Sequence, residues 1–214
     1  MVTLDSALAL LPRAELFAMQ KDGEVSFIAN QALVADVCLT PEVKSRLVCL
    51  TDPDRLILCG YSALWAAGLC AEPRRHEVLL RPGKRPRNAT EDTHTVRELR
   101  VAHGDVIHAS DGTARLTPER ALCDALRLDS RDDDRVAQEC ADIMQRANIS
   151  VASMRRRLTQ SEATSYRNRA LMRLAFIDAI NVIDAVDTTH RVENTLEVAS
   201  IPGFEDKTTQ GETL

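Results

Sequence analysis

Four histidines, His76, His94, His103 and His108, are the first candidates for acid–base or metal chemistry in this chain. Their spacings do not place metal ligands on one helix. His103 and Asp105 come nearest to a histidine–carboxylate pair, and the ordinary reading of such a pair in a loop is a surface contact. A metal-dependent nuclease needs two or three acids beside a lysine. Lysine occurs only at positions 21, 44, 84 and 207, and none sits two residues after an acid on an obvious strand; Lys44 follows Glu42 in a segment that reads as helix. The motifs G-x-S-x-G, G-x-x-x-x-G-K-[ST], G-x-G-x-x-G and H-E-x-x-H are absent. The six cysteines at 38, 49, 59, 70, 123 and 140 include no C-x-x-C pair, so a thiolate zinc site has no support. They read as reduced thiols, with Cys59, Cys70 and Cys123 in apolar contexts. No catalytic residue, metal or cofactor is expected.

Two clusters stand out instead. Gly60-Tyr61-Ser62-Ala63-Leu64-Trp65-Ala66-Ala67-Gly68-Leu69 holds the only tryptophan. Ser62 can cap a helix there, Trp65 can anchor a core, and Gly68 allows close approach. In Leu116-Thr117-Pro118-Glu119-Arg120-Ala121-Leu122-Cys123-Asp124, Arg120 and Asp124 are spaced i,i+4 and can pair on one helix face. Both clusters read first as structure: a packed, capped helix and a structural ion pair.

Charge identifies a third candidate. The 214 residues carry a net charge of −5, which argues against a nucleic-acid binder when taken whole. Divided by segment, it hides two basic blocks. Residues 74–100 are net +4, and residues 146–173 are net +6 with a single acid. Basic clusters attract polyanions by counterion release whatever the total charge. The plain alternative is pairing with acidic segments of the same chain. Arg155, Arg156 and Arg157 are the candidate contacts to a polyanion or an acidic partner. Aromatics make up 3% of the chain, too few for a surface that stacks single-stranded bases.

The elements that position these residues follow from periodicity and punctuation. Thr3 or Asp5 caps a short helix over 4–11, and Pro12 opens a second from Arg13 to Lys21. Strands over 24–28 and 32–37 flank a turn at Asn30-Gln31. Helix, helix, hairpin resembles the end of a winged helix-turn-helix, one helix short. Helices follow from Thr40 to about Cys49 and from Ser62 to Leu69, with Leu56-Ile57-Leu58 a brief buried segment between them. Four mostly antiparallel strands are expected at 76–80, 95–101, 106–108 and 113–116, after a polar loop over 82–93. Helices then occupy 117–128, 132–147, 150–158 and 166–183, the last carrying Met172, Phe176, Ile180 and Ile183 at helical spacing. The fold class is therefore α+β. A short winged-helix-like module spans 1–39, an α/β core with C-terminal helices spans 40–185, and an acidic tail expected to be poorly ordered spans 186–214. No secretory signal or membrane-spanning run is evident, so a cytoplasmic protein is expected.

In their order and spacing these pieces resemble the AbiEi antitoxin family of type IV toxin–antitoxin systems. The resemblance rests on Ser62-Ala63-Leu64-Trp65-Ala66-Ala67-Gly68, on His76-Glu77-Val78, on Val96-Arg97-Glu98 with Asp105-Val106, and on Thr117, Arg120 and Asp124. It covers roughly residues 13–175. It implies a transcriptional regulator, not an enzyme. An N-terminal winged helix would bind double-stranded operator DNA, and a C-terminal part would counteract a nucleotidyltransferase-type toxin. Arg13, Gln20 and Lys21 on the candidate recognition helix are then DNA contacts. The alternative is a protein-interaction module with a degenerate winged helix that does not bind DNA. The oligomeric state stays open, and no coiled-coil heptad is visible to supply a contact.

Overall fold

Leu8, Leu16 and Val25 come together at the N-terminus as a small apolar cluster separate from the main core. The computed structural model describes residues 8–50, 53–81, 94–97, 100–160 and 165–182. Leu8–Leu10 is a single 3-10 turn, where a helix over 4–11 was expected; Leu4, Thr3 and Asp5 lie outside the described residues. Pro12 precedes helix α1, Arg13–Lys21, which turns Leu16 and Met19 inward. Strands β1, Val25–Ile28, and β2, Gln31–Val34, pair antiparallel. Ala29 and Asn30 between them both have positive φ, the geometry of a tight hairpin turn that matches strand twist. Left-handed backbone at alanine costs about 1 kcal/mol. The Ala29 N–H is held by the Glu72 carboxylate at 2.7 Å, which docks the hairpin tip on the rest of the chain.

Helix α2, Pro41–Val48, begins as expected: the Thr40 hydroxyl accepts from the Val43 N–H, and Pro41 takes the first turn. Strand β3, Leu56–Leu58, is buried at every residue. This apolar triplet is the central strand of a five-stranded sheet of order β5-β4-β3-β7-β6, with β4 Glu77–Leu80, β5 Thr95–Arg97, β6 Val106–His108 and β7 Ala114–Leu116. The sheet is evenly mixed, not mostly antiparallel. β3 runs antiparallel to β4 and parallel to β7, β4 runs parallel to β5, and β6 runs antiparallel to β7. The reason lies in the connections. More than a dozen residues separate β4 from β5, the length a parallel crossover needs, whereas β6 and β7 are joined by a short turn.

Helix α3, Gly60–Ala66, lies against β4 and β7 of the sheet and packs closely against α4, Pro118–Leu128. Helices α5, Asp133–Arg146, and α6, Val151–Gln160, pack on α4. A last helix, α7, covers residues 167–182. Side-chain caps from Thr117, Asp132 and Ser150 open α4, α5 and α6. The chain is thus α+β. Along α7 the packed face differs from the one its bulkiest residues suggested. Ala170, Arg173, Leu174 and Ile177 face the core, while Met172 and Phe176 face solvent. Ile183, the polar loop over 82–93 and the acidic tail lie outside the described residues. Among the described residues no helix is long and apolar enough to cross a membrane.

Candidate functional site

Ser62 does not cap its helix. Cys59 takes the N-cap position and Ser62 lies one turn inside, wholly buried. Its oxygen accepts from the Glu77 N–H at 2.8 Å and stands 3.1 Å from His76 Nδ1. Nε2 faces the Glu72 carboxylate, which only accepts, so in the neutral ring Nε2 carries the proton and Nδ1 accepts from the Ser62 hydroxyl. Nε2 faces Glu72 at 3.4 Å, on the same carboxylate oxygen that holds the hairpin at Ala29. Trp65 packs its ring 5.1 Å from that of His76, and the Lys44 ammonium lies 5.1 Å from the indole centroid while donating to the Trp65 carbonyl. Gly68 sits in open space at φ +79°, so it serves the helix end and not a close approach. The Leu69 N–H returns to the Leu64 carbonyl and the Gly68 N–H to that of Trp65, the double bond of a left-handed helix stop. Close approach belongs to Gly60, where a Cβ would collide with the Glu77 carboxylate.

Burial lowers the pKa of His76 below its ordinary value, and Glu72 offsets this only in part. The unfolded imidazole titrates near ~6.5. Below that pH the unfolded chain binds more protons than the folded one, so stability is lost as pH falls from about 6.5 toward the lower folded value. Urea midpoints at pH 7.5 and 5.5 should therefore differ more for the native chain than for His76→Asn, which keeps an acceptor for Ser62 but does not titrate. Equal pH dependence in both would show that His76 binds its proton equally well folded and unfolded, against the lowering by burial.

The second motif is the hub of a larger network. Arg120 Nε bonds both Asp124 oxygens at 3.1 and 3.2 Å, Nη1 reaches Asp105 at 3.3 Å, and Nη2 reaches the Arg100 carbonyl at 3.1 Å. Arg157 closes on the other Asp105 oxygen. Burial raises the Asp124 pKa although Arg120 opposes the shift. A further pair, Glu77 with Arg97, joins β4 to β5 beside Gly60.

Glu77, Arg97 and Asp124 line a cleft of about 990 Å³ that Tyr61 and Arg131 also border. Arg131 is held by Asp129 at 2.6 Å and Glu139 at 2.7 Å and lies 4.9 Å over the Tyr61 ring. Burial pushes the Asp129 carboxyl up, but hydrogen bonds from Arg131 outweigh it and hold the group below the ordinary carboxylate range. Burial pushes the Cys59 thiol well up and that of Cys70 up to about 11, so the thiols bordering the cleft are protonated and poor nucleophiles. All six cysteines are free thiols. Among the described residues no group of three or more potential ligands is placed to hold a metal ion. The floor of the cleft holds charge in pairs, an arrangement that fixes side chains and leaves Glu77 and Asp124 engaged by guanidiniums.

The basic block 146–173 is largely spent on internal pairing. Arg155 meets Asp178, Arg157 meets Asp105, Arg169 and Arg173 both meet Asp133, and Arg146 donates to the Leu69 carbonyl. Of the candidate triplet only Arg156 is exposed without an ion pair among the described residues. In the first block Arg75 donates to the His94 carbonyl and Arg81 to that of Gly112, while Lys84, Arg85, Arg87 and Glu98 lie outside the described residues. Arg13, Gln20 and Lys21 are all exposed on α1. Phe17 between them stacks on Phe27 of β1 at 5.5 Å and ties the helix to the hairpin.

Sequence reasoning missed Gly60, Glu72 and Arg131. Gly60 gave no signal beyond its place before Tyr61, and Glu72 and Arg131 act through contacts 43 and 8 residues away. Geometry and charge together define an α+β protein with a small helix–hairpin module clasped to an ion-paired body. Comparison with known protein families, curated proteins and solved structures gave no match.

Proposed function

We propose that this chain is a non-enzymatic, cytoplasmic regulator of the AbiEi antitoxin type. It binds double-stranded operator DNA of its own operon through the α1–hairpin module and counteracts a nucleotidyltransferase-type toxin through its helical body. The observation that carries the reading is the module itself. It has its own small core, and α1 presents Arg13, Gln20 and Lys21 to solvent beside a two-stranded hairpin. Helix-plus-hairpin is the arrangement by which a winged helix sets a helix in the major groove and a wing on the backbone. Free thiols suit a reducing compartment.

A second reading is favoured by one specific observation. Residues 8–38 carry two cations, Arg13 and Lys21, against Glu15, Asp22, Glu24 and Asp36. A module with excess acid is a weak ligand for phosphate, and the same surface then contacts protein. The two readings separate in a binding titration on the chain's own promoter across a salt series. DNA binding predicts a negative salt slope that becomes shallower by about two units in Arg13→Ala/Lys21→Ala, since each phosphate contact contributes about −0.9. The thermal midpoint should stay unchanged, both side chains being exposed. Absence of salt-dependent binding by the native chain overturns the DNA reading and leaves the interaction module.

A further inference from the structure

The hairpin that would serve as the wing is held by the body at its tip. Ala29 and Asn30 there both have left-handed backbone, with φ of 50° and 62°. The Ala29 N–H donates to the Glu72 carboxylate at 2.7 Å, and Ile28 and Ala29 pack against the main core. Otherwise the module is built on itself: α1 lies on β1, β1 pairs with β2, and Leu8, Leu16 and Val25 form its own cluster. The chain passes from it to α2 through residues 35–40, which form neither helix nor strand. The acceptor at the tip has the chemistry of a phosphate. Carboxylate and phosphodiester both offer anionic oxygens, and backbone N–H groups are ordinary donors to DNA phosphate. Successive N–H groups in a turn also make a concavity that takes anions. The 2.7 Å separation is that of a charge-assisted bond. Glu72 has a second contact inside the body, since the same oxygen stands 3.4 Å from His76 Nε2.

We infer that Glu72 is an internal stand-in for a DNA phosphate, and that the docked hairpin is an autoinhibited state of the module. This rests on the reading of the chain as an operator-DNA binder. While Glu72 holds the Ala29 N–H and Ile28 and Ala29 pack on the body, the tip does not reach a phosphate backbone. Binding DNA exchanges the carboxylate for a phosphate oxygen as the module turns on residues 35–40. The exchange nearly conserves hydrogen bonds: Ala29 keeps an anionic acceptor, and Glu72 keeps His76. What DNA must displace is the intramolecular bond and the apolar contact at Ile28 and Ala29. The native chain therefore binds more weakly than one whose hairpin is undocked, because part of the binding energy is spent on release.

Titration of the chain's own promoter duplex at one low salt concentration tests the inference. Glu72→Ala removes the competitor and should bind about tenfold tighter than the native chain, the worth of one charge-assisted hydrogen bond. Glu72→Gln keeps a neutral acceptor for the hairpin and for His76, so its affinity should fall between the two. Asp142 borders the same cleft but meets Gln138 instead of the hairpin, so Asp142→Asn removes an equal charge and should bind like the native chain. With no DNA present, hydrogen exchange at the Ala29 amide should be faster in Glu72→Ala than in the native chain. Equal affinity of the native chain and Glu72→Ala overturns the inference and leaves the DNA reading standing. A gain in Asp142→Asn as large as that in Glu72→Ala also overturns it, because net charge alone then accounts for both. So does unchanged exchange at Ala29. Weaker binding by Glu72→Ala with its far-ultraviolet spectrum intact overturns it too, by making the docked hairpin the binding form. Should Glu72→Ala fold poorly, the comparison with Glu72→Gln decides by the same criteria. If neither the native chain nor any variant binds the duplex, the DNA reading fails and the inference with it.

Discussion

Replacing Arg120 by alanine should destabilise the protein by about 4 kcal/mol at pH 7, the cost of leaving a buried carboxylate without its partner. For a chain of this size that lowers the thermal midpoint by on the order of 10 °C. Asp124 is only 3% exposed, and Asp105 is also largely enclosed. Both lean on this one guanidinium, Asp105 with added support from Arg157. The pH dependence identifies the cause. Burial already raises the Asp124 pKa with Arg120 in place, so without Arg120 the folded carboxyl holds its proton more strongly still. A carboxyl with a raised folded pKa binds more protons folded than unfolded, and such a variant gains stability as pH falls. The deficit of Arg120→Ala relative to the native chain should therefore shrink between pH 7 and pH 5 in urea titrations. A pH-independent deficit would mean that Arg120 acts through packing of its stem alone. The double change Arg120→Met/Asp124→Leu removes both charges and should recover much of the loss.

Local signals carried much of this fold into the sequence. Thr40-Pro41 and Thr117-Pro118 mark helix starts by pairing a cap with a first-turn proline, and both helices begin there. The i,i+4 spacing of Arg120 and Asp124 predicts their ion pair, and it forms. Signals that depend on long-range partners did not come through. Ser62 has the chemistry of a cap, but the chain turns earlier at Cys59, because Gly60 adopts positive φ and lets Glu77 lie against the backbone. Only the return of β4 reveals that Ser62 secures His76 and the Glu77 N–H. Sheet direction failed for the same reason: a three-residue apolar strand fits either orientation until its neighbours are known.

Reading the arginines as one basic block was the larger difference. Composition counts charges but not their partners. The acids that neutralise residues 146–173 lie at 105, 133 and 178, two of them outside that block's own helices. Asp133 in the first turn of α5 draws both Arg169 and Arg173 from α7, an arrangement no window along the sequence shows. A region that looks made for a polyanion is in large part the clasp between α5, α6 and α7. Of the triplet, only Arg156 is exposed without an ion pair among the described residues.

Arg173 makes that distinction measurable. It is 1% exposed and its guanidinium donates to the carbonyls of Ala125, Leu126 and Asp129, the C-terminal turn of α4. The Leu126 and Asp129 carbonyls lie beyond the last helical hydrogen bond, from the Asp129 N–H to Ala125, so the side chain closes the end of α4 in place of the next turn. Arg173→Met keeps most of the apolar stem and removes the donors. Stranding the two acceptors at Leu126 and Asp129 costs about 1–3 kcal/mol each before relaxation, so the net destabilisation should be about 3 kcal/mol. Asp133, half exposed, regains water and adds little. Chemical denaturation should show this loss with nucleic acid absent, whereas Arg156→Glu should leave stability unchanged. If instead Arg173→Met folds with native stability and Arg156→Glu unfolds, residues 146–173 are not the internal clasp. In that case the net +6 of the block is available to a partner after all.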